Sequence, residues 1–216
     1  MSNNIKKNNK SKFSDEYYSL VNLYKIAHKN GIKKNNFFLP NNITFDGKSL
    51  APWIQYLKKI IKNTNSKSIL DYGCGKAKYY HNQIQLGDKK FKGVSDYWNI
   101  TEVKLFDPGI KEYHKYPIKN YDGVICTDVL EHIGIEDLDN VVKDIFGFSN
   151  KFVFFVISTI LDQKTLNDGR NVHQTVKNED WWRKFFLKFE SYYVNIDCTV
   201  MLTNLGEKSD IVKRII

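Results

Sequence analysis

The chain has 216 residues, enough for one well-filled core and short for two. Hydrophobic residues make up 42%, as in an ordinary globular protein, and no run of about eighteen apolar residues exists, so no membrane span is expected. The formal charge is +9, yet only Arg170, Arg183 and Arg214 stand among the 33 basic residues. That lysine excess, shared with Asn and Ile, reads as the imprint of AT-rich coding; a phosphate-reading surface would use more of arginine's planar fork, so a nucleic-acid partner is possible but not favoured.

Residues 1–13 are basic and polar with no apolar core behind them, and read as a disordered tail rather than a secretory signal. Residues 14–47 read as an N-terminal helical cap. Its helix has Tyr17, Leu20, Val21, Tyr24 and Ala27 or His28 at helical spacing, Ser14 as N-cap and Gly31 as stop. The stretch "NNFFLPNNITFDGKSL" reads as loop, with Ser49 or Asp46 capping the next helix and Phe37, Phe38, Phe45 and Trp53 available as an apolar lid. That helix, "LAPWIQYLKKIIKN", carries Pro52 in its first turn.

From residue 48 to 216 the pattern becomes strand and helix in alternation. "SILDYG" is a short buried strand, and "KAKYYHNQIQL" reads as the helix after it. "EVKLFD" and "DGVICTDVL" are the next strands, "GIEDLDNVVKDIFGF" an amphipathic helix, and "KFVFFVIST" a strand apolar on both faces. "NEDWWRKFFLKF" is a helix in which one of Trp181 and Trp182 should be core while the other could face a pocket. "YYVNIDCTVML" and "SDIVKRII", joined by "TNLGEKS", could close the sheet as an antiparallel hairpin. The expected fold is α/β: a doubly wound, mostly parallel, Rossmann-like sheet with N-terminal helices and that C-terminal hairpin. Cys74, Cys126 and Cys198 are far apart with no CxxC pair, which suits buried thiols in a reducing cytoplasm.

Ligands of such sheets bind beyond the carboxyl ends of the strands, where Asp71, Asp107 and Asp128 all fall. Gly73 and Gly75 allow a tight turn after the first strand. A dinucleotide fingerprint would place a third glycine where Lys78 stands, which weakens a nicotinamide-cofactor reading.

"ILDYGCG", "LFD" and "YDGVICTDVLEHI" together resemble the class I S-adenosylmethionine-dependent methyltransferases over roughly residues 48–216. The resemblance implies a cytoplasmic enzyme transferring a methyl group from S-adenosylmethionine to an oxygen or nitrogen of a small-molecule or sugar-type acceptor. It implies that Asp71, Gly73, Cys74 and Gly75 line the methionine end of the cofactor and that Asp107 binds the ribose hydroxyls. Thr127, Asp128 and Leu130 would follow its other side. The chain departs from the family in two ways. The run from Gly75 to Asp107 is long, with residues 87–102 resembling an insertion, and the run from Asp107 to Asp122 is too short for a helix and a strand, so that edge of the sheet should lack a strand.

Asp128, Glu131 and His132 stand at i, i+3 and i+4, which in a helical turn share one face. With His173 from the next loop they offer four ligand-type side chains, similar to the metal-holding set of small-RNA 2′-O-methyltransferases, and a divalent metal there is one expectation. The other is that His173, His132 and Asp128 act directly, with His173 as base. A metal-assisted RNA 2′-O-methyltransferase and a non-catalytic cofactor-binding protein stand as alternatives.

Overall fold

The computed structural model describes residues 12–203 together with the backbone of Lys213 and Arg214. The tail up to residue 11 and most of the expected turn "TNLGEKS" lie outside the described residues. In chain order the elements begin with α1 (Asp15–Asn30), then the short strands β1 (Ile32–Lys34) and β2 (Phe37–Leu39). A 3-10 turn over Lys48–Trp53 leads into α2 (Ile54–Asn63) and β3 (Ser68–Tyr72). Next come α3 (Lys78–His81), β4 (Ile84–Leu86), β5 (Lys89–Phe91), α4 (Val94–Trp98) and β6 (Glu102–Phe106). The last part contains β7 (Tyr121–Thr127), α5 (Leu138–Gly147), β8 (Ser149–Ser158), β9 (Lys164–Thr165), α6 (Glu179–Glu190), β10 (Asp197–Thr203) and β11 (Lys213–Arg214).

The main sheet runs β11, β10, β8, β7, β3, β6. Five of its strands are parallel, and β11 closes one side as the antiparallel partner of β10. This is the expected α/β Rossmann-like architecture. The continuous apolar run in β8 has the cause expected of a central parallel strand. Phe152, Phe154 and Val156 pack toward α2 and α4, while Val153, Phe155 and Ile157 pack toward α5 and α6. No helix or strand forms between β6 and β7, so β6 is a sheet edge, as the short Asp107 to Asp122 spacing predicts.

Several local expectations change. Ser14 does cap α1, its hydroxyl accepting from the Tyr17 amide at 3.1 Å while donating to Asp137 Oδ2 at 2.6 Å. Phe13, assigned by sequence to the tail, instead stacks on Tyr17 at 4.2 Å within the core, so the packed body starts before residue 14. The expected helix after β3 shrinks to the four residues of α3, and the end of that segment forms β4, whose Ile84 turns inward and which pairs with β5 from the stretch read as an insertion. The start of the stretch read as loop forms β2, which pairs with β1 just before it as a hairpin, and β9 adds as a third strand. The first turn before α2 is 3-10 with Pro52 inside it, and Asp46 rather than Ser49 bonds its start, accepting from the Lys48 amide at 3.1 Å. Trp182 is fully buried and Trp181 stacks on Phe185; neither faces the cavity described below. No cysteine pair forms a disulfide, and no helix among the described residues is long and apolar enough to cross a membrane.

Candidate functional site

A cavity of about 780 Å³ lies over the carboxyl ends of β3, β6, β7 and β8. Its floor carries Gly73, Gly75, Asp107, Thr127 and Asp128. Its roof comes from α1 and the segment after it, through Tyr24, His28, Phe45 and Asp46. A small core of Leu20, Ala27, Ile32, Leu166 and Val172 ties that roof to the loop after β8.

The glycine loop is closed on itself. Gly73 and Cys74 donate to the Phe106 carbonyl, Gly75 to Asp107 Oδ2 at 3.0 Å, and Lys76 to the Phe45 carbonyl. Ala77 donates to Cys74 and Lys78 to Asp46. Every amide from Gly73 to Lys78 therefore has a partner inside the protein, and no nest of open N–H groups faces the cavity to receive a phosphate. Both glycines have left-handed backbone, φ +82° and +54°, and a Cβ would meet Val129 at 2.3 Å or the Phe45 carbonyl at 2.4 Å. Their bare Cα atoms thus let the roof and the β7 loop close onto the strand end, not a ligand.

Carboxylates dominate this half of the site. Asp71 is buried with its Oδ1 lacking a hydrogen-bond partner. Burial lifts its carboxyl to about 7, and the nearby Tyr80 hydroxyl pulls the other way without reaching hydrogen-bonding geometry. Burial likewise lifts Asp107 to about 6 against the Gly109 and Gly75 amides that bond it. His28 Nε2 stands 3.9 Å from Asp107 Oδ1, but burial and the Lys76 charge push its imidazole down to about 3, so the two are not an ion pair at neutral pH.

The other half is built on β7 and the loop after β8. Asp128 sits at φ +54°, a strained conformation for a residue other than glycine, held by its amide bond to the Val156 carbonyl. Burial raises its carboxyl to about 6, opposed by Lys164. His132 Nδ1 is 2.8 Å from the Tyr24 hydroxyl, which itself donates to the Val172 carbonyl, so Nδ1 carries the proton and Nε2 keeps its lone pair. His173 Nδ1 is 2.6 Å from the Ile160 carbonyl, which can only accept, and the same tautomer follows. Burial lowers both imidazoles, so both are neutral near pH 7. Asp162 Oδ2 lies 3.8 Å from His173 Nε2 and accepts from Lys164 Nζ at 2.5 Å. Burial pushes Asp162 up, but the Lys164 bond and charge more than offset it and hold the carboxyl below its usual range.

Glu131, His132 and His173 bring one ligand atom each within 4.8 Å of one another. Glu131 Oε1 accepts from the Ser158 amide at 2.7 Å, and Oε2 is buried without a partner. Asp128 does not join this group. The four-ligand expectation required one helical turn through residues 128–132, whereas the left-handed Asp128 precedes a 3-10 turn of only Leu130–His132.

The structure thus gathers Gly73, Gly75, Asp107, Thr127, Asp128, His132 and His173 around one cavity. Asp71 lies beneath its floor, and Glu131 behind His132 and His173. Leu130 is wholly in the core and Cys74 turns back to the Gly75 carbonyl, so neither side chain lines the cavity. Sequence reading missed Asp162 and Lys164. They lie on an irregular loop and a two-residue strand with no periodicity to announce them. The roles of Tyr24 and His28 were also hidden, since both read only as one face of a helix. Comparison with protein-family models, with curated proteins and with solved structures finds no match to this chain.

Proposed function

We propose that the chain is an S-adenosylmethionine-dependent methyltransferase acting on an oxygen or nitrogen of a small-molecule or sugar-type acceptor. One observation carries this reading: the loop at the end of β3 has no open amide for a phosphate, while carboxylates crowd the strand ends around it. That combination suits a cationic cofactor without phosphate and disfavours a dinucleotide. S-adenosylmethionine supplies an electrophilic methyl group on a sulfonium centre.

Asp107 would hold ribose hydroxyls with its remaining lone pairs, and Asp128 on the cavity floor would offset positive charge. The roof residues Tyr24 and Phe45 exclude water from the transfer. His173 takes the acceptor's proton on Nε2, its orientation fixed by the Ile160 carbonyl, and the Asp162 carboxylate stabilises the imidazolium so formed.

Calorimetry on the whole chain tests the reading. S-adenosylmethionine and S-adenosylhomocysteine should bind and NADH should not; the reverse pattern refutes it. Gly73→Val, which drives a side chain into Val129, should abolish that binding while circular dichroism reports whether the fold survives.

The Glu131, His132 and His173 cluster favours a second reading, in which a divalent metal positions an acceptor hydroxyl, as an RNA 2′-O-methyltransferase would require. Two neutral imidazoles with open Nε2 atoms and a carboxyl short of a partner fit Mn²⁺ or Zn²⁺ better than Mg²⁺. Titration with Mn²⁺ should show binding that His173→Ala removes and Asp128→Asn retains. Undiminished binding in His173→Ala would exclude this site.

A further inference from the structure

We propose that the β1–β2 hairpin beside the cavity mouth docks the protein on an anionic lipid bilayer. Phe37 and Phe38 are 76% and 62% exposed, an unusual state for adjacent aromatic residues on a short strand. They point to opposite faces of the hairpin, and each has a lysine directly across from it: Lys34 opposite Phe37 and Lys33 opposite Phe38. Neither lysine has an ion-pair partner among the described residues. Lys33 and Phe38 share the outer face, while Phe37 projects beside the partly buried Lys34 at the cavity wall, so each exposed ring has a cation next to it. This is the pairing that suits the boundary between headgroups and acyl chains.

The surroundings extend it. Ile43 and Leu161, 45% and 63% exposed, line the cavity, and the Asn35 amide at the hairpin tip donates to the Gln163 carbonyl, two residues after Leu161. Residues 24–48 contain five lysines and one acid, Asp46, which is buried. A surface both apolar and cationic complements anionic lipid, to which each lysine near the headgroups adds attraction. Other partners fit less well. A second copy docked by twofold symmetry would press Lys33 and Lys34 toward their own equivalents. Nucleic acid could stack a base on Phe37 or Phe38, but its phosphates would be expected to meet arginine, of which residues 24–48 have none.

Co-sedimentation of the full chain with vesicles tests the proposal without reference to methyl transfer. The protein should bind vesicles of equimolar phosphatidylcholine and phosphatidylglycerol, and much less those of phosphatidylcholine alone. Lys33→Ala with Lys34→Ala should weaken binding about thirty-fold, from about 1 kcal/mol per lysine. Phe37→Ser with Phe38→Ser should weaken it at least about ten-fold, with the circular dichroism unchanged because both side chains are exposed. No vesicle binding, or binding that neither double variant changes, overturns the proposal. So does a dimer seen by sedimentation velocity and lost in the phenylalanine variant, or binding of single-stranded RNA in place of vesicles.

Discussion

Asp71 shows what a single buried acid contributes and what it costs. Its ordinary carboxyl pKa near 4 rises to about 7 in the folded chain, so folding favours the protonated form. The sign follows from linkage. Below about pH 4 the group is neutral in both states and carries no penalty. The penalty grows between about pH 4 and 7 and is complete above it, where it amounts to roughly 4 kcal/mol as an upper figure. Asp71→Asn should therefore melt higher than the parent protein at pH 8, with the gap closing as pH falls toward 4. Equal melting temperatures at pH 8 would mean that the carboxylate is better solvated than its burial indicates. Under the proposed reading, this is the cost an ionisable group beneath a ligand cavity carries. His132 gives the complementary lesson: its proton sits where Tyr24 puts it, so a residue on a different helix decides which nitrogen is available to chemistry.

At the scale of elements, legibility followed length and burial. The strands β3, β7 and β8 and the helices α1, α2, α5 and α6 announced themselves through continuous apolar runs or helical spacing, because each strand is covered on both faces and each helix buries one face in a core. The strands β1, β2, β4, β5 and β9 did not. They have two or three residues each, too few for an alternation to show, and β1 gains its second partner from residues far along the chain. The same division holds for the site. Residues at the ends of long strands, Asp107 and Asp128, were legible; Asp162 and Lys164 were not, because only the β1–β9 pairing brings them to the cavity. The start of α1 offers a direct check on its anchoring. Ser14 both caps the helix and donates to Asp137, so Ser14→Ala should destabilise by about 1–2 kcal/mol, read as a lowered denaturation midpoint with unchanged denaturant slope. A change under a few tenths of a kcal/mol would show that solvent replaces both bonds.

At the scale of the whole molecule, the cavity is a joint product of two distant stretches. The roof stands on residues 13–46, and what it rests on lies in residues 131–175: Tyr24 reaches His132 and the Val172 carbonyl, and Leu20 and Ile32 pack with Leu166. During synthesis the N-terminal stretch leaves the ribosome well before those partners exist. The strands β3, β6 and β7 can pair, and Phe45 and Asp46 can already bond the glycine loop, while Leu20, Ile32 and the Tyr24 hydroxyl still lack Leu166 and the Val172 carbonyl. The site is therefore finished late, once the loop after β8 has emerged. A nascent chain halted just after β8 would hold the roof by the glycine loop, His132 and Asp137 alone, with the β1–β2 hairpin still short of its third strand.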